Sequence, residues 1–225
     1  MIRKIAIAIA ALAAVLVAVI ALQPGTFAIE RATEISAPPD VVFAHLDSPT
    51  AMDVWSPWVK MDPQQTLTHE GPERGVGAAE SWEGPKAGAG RLEITAVKPN
   101  EEVEMRLDFR KPMQATNRAL FTVTPAGETT RVTWRMEGEN NFVGKAASLV
   151  MNMDRMVGGT FELGLAELKT LAETEAKERA EQAAAAQAAE GAAPTMTFDE
   201  MKQALGEPTG DAEPQGEEPA PPADE

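Results

Sequence analysis

Residues 91–109, Arg-Leu-Glu-Ile-Thr-Ala-Val-Lys-Pro-Asn-Glu-Glu-Val-Glu-Met-Arg-Leu-Asp-Phe, decide the fold class, because apolar and polar side chains alternate on both sides of a Pro99-Asn100 turn. Leu92, Ile94 and Ala96 share one side of the first arm, and Val103, Met105, Leu107 and Phe109 share one side of the second. Glu104, Arg106 and Asp108 take the other side. A period of two with one apolar face predicts antiparallel strands packed on one side and wet on the other.

The same texture extends outward in both directions. Strands are expected at Phe27–Ile35, Gln65–Glu70, Val76–Glu83, Arg91–Val97, Val103–Phe109, Thr116–Thr124 and Arg131–Glu137, separated by turn residues such as Gly84-Pro85 and Pro125-Ala126-Gly127. Pro38-Pro39-Asp40 opens a short helix through Val41, Val42, Phe43 and Leu46, and a second helical piece follows Pro49 and ends near Trp55. From Phe142 the period becomes helical, with Ala146, Leu149, Met153, Val157, Phe161, Leu165 and Leu168 at spacings of three and four. One long helix over the sheet is expected, kinked where Gly158-Gly159 interrupts it.

Several phrases stand in order along the chain. They are Ser36-Ala-Pro-Pro-Asp-Val-Val-Phe43, Trp55-Ser-Pro-Trp58, Asp62-Pro63, Gly75-Val-Gly77, Trp82-Glu-Gly84, Gly88-Ala-Gly90, Thr129-Thr-Arg-Val-Thr-Trp134 and Gly158-Gly-Thr-Phe-Glu-Leu-Gly-Leu-Ala-Glu-Leu-Lys169. Together they resemble the SRPBCC superfamily, the START-like and polyketide cyclase/dehydrase relatives, over residues 27–173. The resemblance implies an α+β helix-grip fold, a curved antiparallel sheet around a long C-terminal helix. It also implies a cavity between sheet and helix that takes hydrophobic ligands. Some relatives transport lipids, some cyclise polyketides, and others regulate or bind partners.

Ahead of this domain, Ile5–Leu22 is an unbroken run of 18 apolar residues preceded by Arg3 and Lys4. At 1.5 Å per residue it spans roughly 27 Å, close to a bilayer core. The expected organisation is a transmembrane anchor or signal peptide at 1–24, a helix-grip domain at 27–175 and an acidic tail at 176–225. The anchor reading is adopted because the run exceeds a usual signal-peptide core, although Val19-Ile20-Ala21 resembles a cleavage site. Either reading exports the domain, and the cations before the run put it on the extracytoplasmic side.

Residues 176–225 carry 12 acids and 3 bases, which accounts for −9 of the total charge of −15. Glu173–Gln187 is expected to continue helically, and the Pro- and acid-rich end has too little apolar surface to fold. Thr197 to Glu200 has capping-box spacing before Phe198, Met201 and Leu205, the pattern either of a short docking helix for a protein partner or of a chance helical remnant, since two turns alone are marginal in water. With no basic cluster, nucleic acid is set aside as a partner. The absence of cysteine removes disulfides, thiol catalysis and thiolate metal sites.

No catalytic constellation, cofactor motif or metal-ligand spacing is visible. His45 and His69 are the only imidazoles; His45 reads as a helix-end residue and His69 as lying on the polar face of a strand. Arg106, Arg110, Arg118, Arg131 and Arg135 sit at alternating, solvated strand positions. Tyrosine is absent. The side chains expected to line a ligand cavity are Leu92, Ile94, Met105, Leu107 and Trp134 from the strands and Phe142, Leu149, Met153 and Val157 from the helix. Trp55, Trp58, Trp82, Met113, Met136, Met151 and Met156 add polarisable bulk that suits variable apolar guests. The reading is a membrane-tethered binder or carrier of a hydrophobic small molecule or lipid. A polyketide cyclase/dehydrase-like enzyme and an interaction module without ligand are the alternatives.

Overall fold

The computed structural model describes residues 1–149 and 152–191. Contacts divide the chain into Met1–Glu181 and Gln182–Glu225. Of the second unit, Gln182–Gly191 is described, as the end of a helix. Met151 and the segment around Phe198 lie outside the described residues.

Helix α1 (Ile2–Ala21) leads into strand β1 (Thr26–Ile35), followed by α2 (Pro39–Phe43), α3 (Pro49–Trp55) and α4 (Pro57–Met61). Six strands come next: β2 (Thr66–Glu70), β3 (Ala79–Gly84), β4 (Gly88–Lys98), β5 (Glu102–Lys111), β6 (Ala115–Ala126) and β7 (Thr129–Glu139). Helices α5 (Phe142–Ser148) and α6 (Met153–Gly191) complete the order. The strands form one antiparallel sheet, β1-β7-β6-β5-β4-β3-β2, so β1 and β2 are its edges. This is the α+β helix-grip arrangement that the family resemblance implies, with the antiparallel sheet that alternation predicts.

Local differences from the sequence reading have identifiable causes. The strand expected from Val76 begins at Ala79, because Gly75 and Gly77 adopt φ of 75° and 89° and turn the chain first. Pro57 starts α4 within the Trp-Ser-Pro-Trp phrase, at the first helical turn where a missing N–H costs nothing. The expected single helix from Phe142 is two: α5 ends at Ser148, and α6 begins at Met153 and runs unbroken through Gly158-Gly159. Asn152 Oδ1 accepts the Arg155 N–H at 2.9 Å and caps the new helix. Gly158 serves a close approach instead, since a Cβ there would stand 2.1 Å from Arg31 Nη2.

Arg31 is the one charged residue on the helix-facing side of β1, alternating with Ile29 and paired in register with Trp134. It donates to Glu162 at 2.7 Å and Asp154 at 3.1 Å, both on α6. These carboxylates hold its guanidinium further into the charged form. Lys169 donates to the Glu34 carbonyl at 2.7 Å and Glu173 accepts the Ser36 N–H at 2.8 Å, so α6 is fastened along β1 for three more turns.

Beneath α6 the core is aromatic. Trp134 stacks on Phe161 with centroids 4.1 Å apart and planes 5° from parallel. Phe121, Trp55 and Trp58 surround the same indole at 4.8, 5.6 and 5.4 Å. Such pairs contribute about 0.5–1.5 kcal/mol each beyond area burial. Trp134→Ala is therefore expected to lower the unfolding free energy by about 3–5 kcal/mol, measured by urea denaturation of the full chain in detergent.

Candidate functional site

Antiparallel partners point to the same side, so the register lays out the concave face row by row. One row runs Val97, Val103, Phe121, Trp134 and Arg31 and lies directly under α6. The next is Ile94, Met105, Ala119, Met136 and Ile29, all buried. The third is His69, Glu80, Leu92, Leu107, Asn117, Gly138 and Phe27. Here burial loosens: Leu92, Leu107 and Phe27 only partly bury against the core.

The nine residues expected to line a cavity divide along these rows. Ile94, Met105 and Trp134 are buried core, and Leu92, Leu107 and Val157 are half-buried at its margin. Phe142 is 53 % exposed, Leu149 40 % and Met153 37 %; the first two belong to α5 and its end, and Met153 is the first residue of α6. The fold thus brings together the strand residues and Val157, and leaves the other three helical residues at the surface. A groove of about 1040 Å³ is lined by wet-face side chains together with Phe27, Met105, Asn117 and Gly138 of the second and third rows, and by no α6 residue. Arg106, Arg118 and Arg135 line it, each paired with carboxylates: Asp108, Glu104 with Glu137, and Glu30 with Glu137. Its cations are spent on neighbouring strands, as alternating solvated positions predict, and Arg131 is likewise 3.6 Å from Glu34.

The chain matches the family model described as "Polyketide cyclase / dehydrase and lipid transport" over residues 26–173, from the first residue of β1 into α6. The chain belongs to this polyketide cyclase/dehydrase and lipid transport family. Its fold is similar to that of protein CV1439 from Chromobacterium violaceum, at 16 % identity and a TM-score of 0.48, covering 67 % of this chain and 98 % of that one. It is also similar to Mll3558 from Rhizobium loti, at 22 % identity and a TM-score of 0.46, covering 63 % and 95 %. A third is the Aha1 dimer of Colwellia psychrerythraea, at 18 % identity and a TM-score of 0.44, covering 65 % and 96 %. No curated protein matches the sequence.

Against this family background, the polar end of the third row is what the sequence left unread. His69 was expected on a strand's polar face, yet it shares the side of Leu67, Trp82 and Leu92, facing Glu80 across β2–β3. Asp53 reaches the pair from α3, with Oδ2 3.0 Å from His69 Nε2, and Glu80 Oε2 lies 3.1 Å from the same nitrogen. The clue was the spacing of Glu80 from Trp82, since residues two apart in a strand share a face. At the other end of the fold, His45 is fixed by Glu175 of α6, 2.8 Å away, while its carbonyl accepts the Trp55 indole N–H at 3.0 Å.

Burial, reinforced by the adjoining Asp53 carboxyl, pushes the Glu80 carboxyl up to about 9. A raised folded-state value means that Glu80 favours folding most fully below the ordinary carboxyl range, and that this contribution is lost as pH rises toward 9. Glu80→Gln, which keeps a donor toward Asp53, is therefore expected to raise the urea midpoint at pH 8.5 and leave it nearly unchanged at pH 4. Paired denaturation curves in chelator-treated buffer check this.

Proposed function

We propose that this protein is a membrane-tethered binder or carrier of a hydrophobic small molecule or lipid. The observation that carries the proposal is where unburied apolar surface collects. Phe142 and Val143 on α5, Leu149 after it, and Met153 and Met156 on α6 are all exposed. Soluble surfaces seldom leave such side chains clustered without a use. The same stretch adjoins the end of α1: Lys145 donates to the Ala21 carbonyl at 3.4 Å and the Asn140 N–H to the Gly25 carbonyl at 2.9 Å.

Helix α1 is long and apolar enough to cross a membrane. In the proposed arrangement Arg3 and Lys4 stay on the cytoplasmic side, the domain lies on the extracytoplasmic side, and four residues between Leu22 and Phe27 hold it near the headgroups. The guest would sit over Leu92, Leu107 and Val157, with Ile94, Met105 and Trp134 as floor and Phe142, Leu149 and Met153 as lip. Phe27 and Leu107, which the register puts on the concave side, are only half-buried, and this supports that seat. Membership of a family whose description includes lipid transport supports it further.

The test is binding of an apolar fluorescent probe to the full chain in detergent-free nanodiscs. Wild type is expected to bind, and Met153→Trp to weaken binding with little loss of stability, since a lip residue has room for a larger ring. A wild type that binds no probe, with Met153→Trp strongly destabilised, replaces this reading with that of an interaction module. The tether is checked separately by intact mass of the membrane fraction: the uncleaved chain is expected, and a soluble product beginning near Leu22 would remove the anchor.

A further inference from the structure

We propose that Asp53, His69 and Glu80 form a binding site for a divalent transition-metal ion, independent of the hydrophobic seat. The three side chains come from α3, β2 and β3, and their ligand atoms all lie within 4.8 Å of one another. Ions that take imidazole nitrogen and carboxylate oxygen at about 2.1 Å hold neighbouring ligand atoms roughly 3.0–3.4 Å apart in octahedral or tetrahedral geometry. His69 Nε2 stands 3.0 Å from Asp53 Oδ2 and 3.1 Å from Glu80 Oε2.

A second observation points to a missing cation. His69 Nε2 lies within hydrogen-bond distance of both Asp53 and Glu80, and one ring nitrogen cannot serve both. Glu80 Oε2 is consequently a buried oxygen with no hydrogen-bond partner, on a side chain only 12 % exposed. Among the described residues, no Lys or Arg pairs with Asp53 or Glu80, unlike most carboxylates of this sheet. A divalent cation at this point would take the unpartnered Glu80 Oε2 as a ligand and offset the cost of burying it.

The nitrogen ligand favours a transition ion such as Zn²⁺ over Ca²⁺ or Mg²⁺, which take oxygen. His69 is 39 % exposed, giving an ion access from solvent and room for a water ligand. Because β2 is an edge strand, the bound ion would pin it and β3 to α3, closing one end of the concave face. The sequence shows no ligand spacing because the three residues are far apart in the chain and meet only through the β2–β3 register.

The test uses the full chain in detergent, stripped with chelator and titrated with Zn²⁺ by calorimetry. One site is expected, weakened at least about tenfold in each of Asp53→Asn, His69→Gln and Glu80→Gln. Tryptophan fluorescence identifies which variants remain folded, and any folded one decides. Should none fold, electron paramagnetic resonance of the Cu²⁺-loaded wild type decides: coupling to one imidazole nitrogen supports the site, and no nitrogen coupling overturns it. Absence of Zn²⁺ binding to folded wild type overturns it, as does binding that the three substitutions leave unchanged, which would belong to the acidic tail. Failure of the apolar-probe experiment leaves these outcomes untouched.

Discussion

The stack of Trp134 on Phe161 is the contact on which the rest of this structure depends. Strand β7 contributes the indole, α6 the facing ring, β6 adds Phe121, and α3 and α4 bring Trp55 and Trp58 to its edges. Five elements therefore meet at one side chain. Its neighbour in register, Arg31, adds a second lock, in which a guanidinium beneath α6 meets Asp154 and Glu162. Aromatic contact fixes how close the helix lies, and the hydrogen bonds of Lys169 to the Glu34 carbonyl and of Glu173 to the Ser36 N–H fix its direction along β1.

That arrangement divides the concave face into unequal parts. Near Trp134 the rows are buried and held by aromatic contacts. Toward Leu107 and Phe27 burial loosens, and the chain between β7 and α6 exposes apolar side chains beside the end of α1. At the far end of the same row the apolar lining gives way to Glu80 and His69. One sheet face thus carries a packed core, an apolar margin and a polar corner, each suited to a different task.

The sheet was legible in the sequence because alternation is a local signal: the side of Met105 and Leu107 can be read without knowing what they touch. The helix-grip order followed from the succession of elements and the ordered phrases, and alternation put Ile94, Met105 and Trp134 on the apolar face, where the structure has them buried. The break between α5 and α6 was misplaced because glycine propensity was weighed and the Asn152 cap was not. Gly158-Gly159 stays helical because the glycine accommodates Arg31, from a strand over a hundred residues earlier, and no local pattern encodes such a contact. The Asp53–His69–Glu80 corner escaped for the same reason, since its geometry exists only once β2 pairs with β3 and α3 folds over them. Phe142 and Leu149 kept helical spacing with Val157, but spacing carries no information across a break in the helix, and Met153 is the exposed first residue of α6.

The central claim is that the open margin of the concave face holds an apolar guest supplied by the membrane. Native mass spectrometry of the full chain released from its own membranes, followed by extraction and identification of what it carries, tests this directly. The account predicts a stoichiometric apolar molecule that dissociates with the protein and is depleted when Leu107 is replaced by Lys. A chain that emerges consistently at its bare mass, with no co-purifying apolar species, would contradict it.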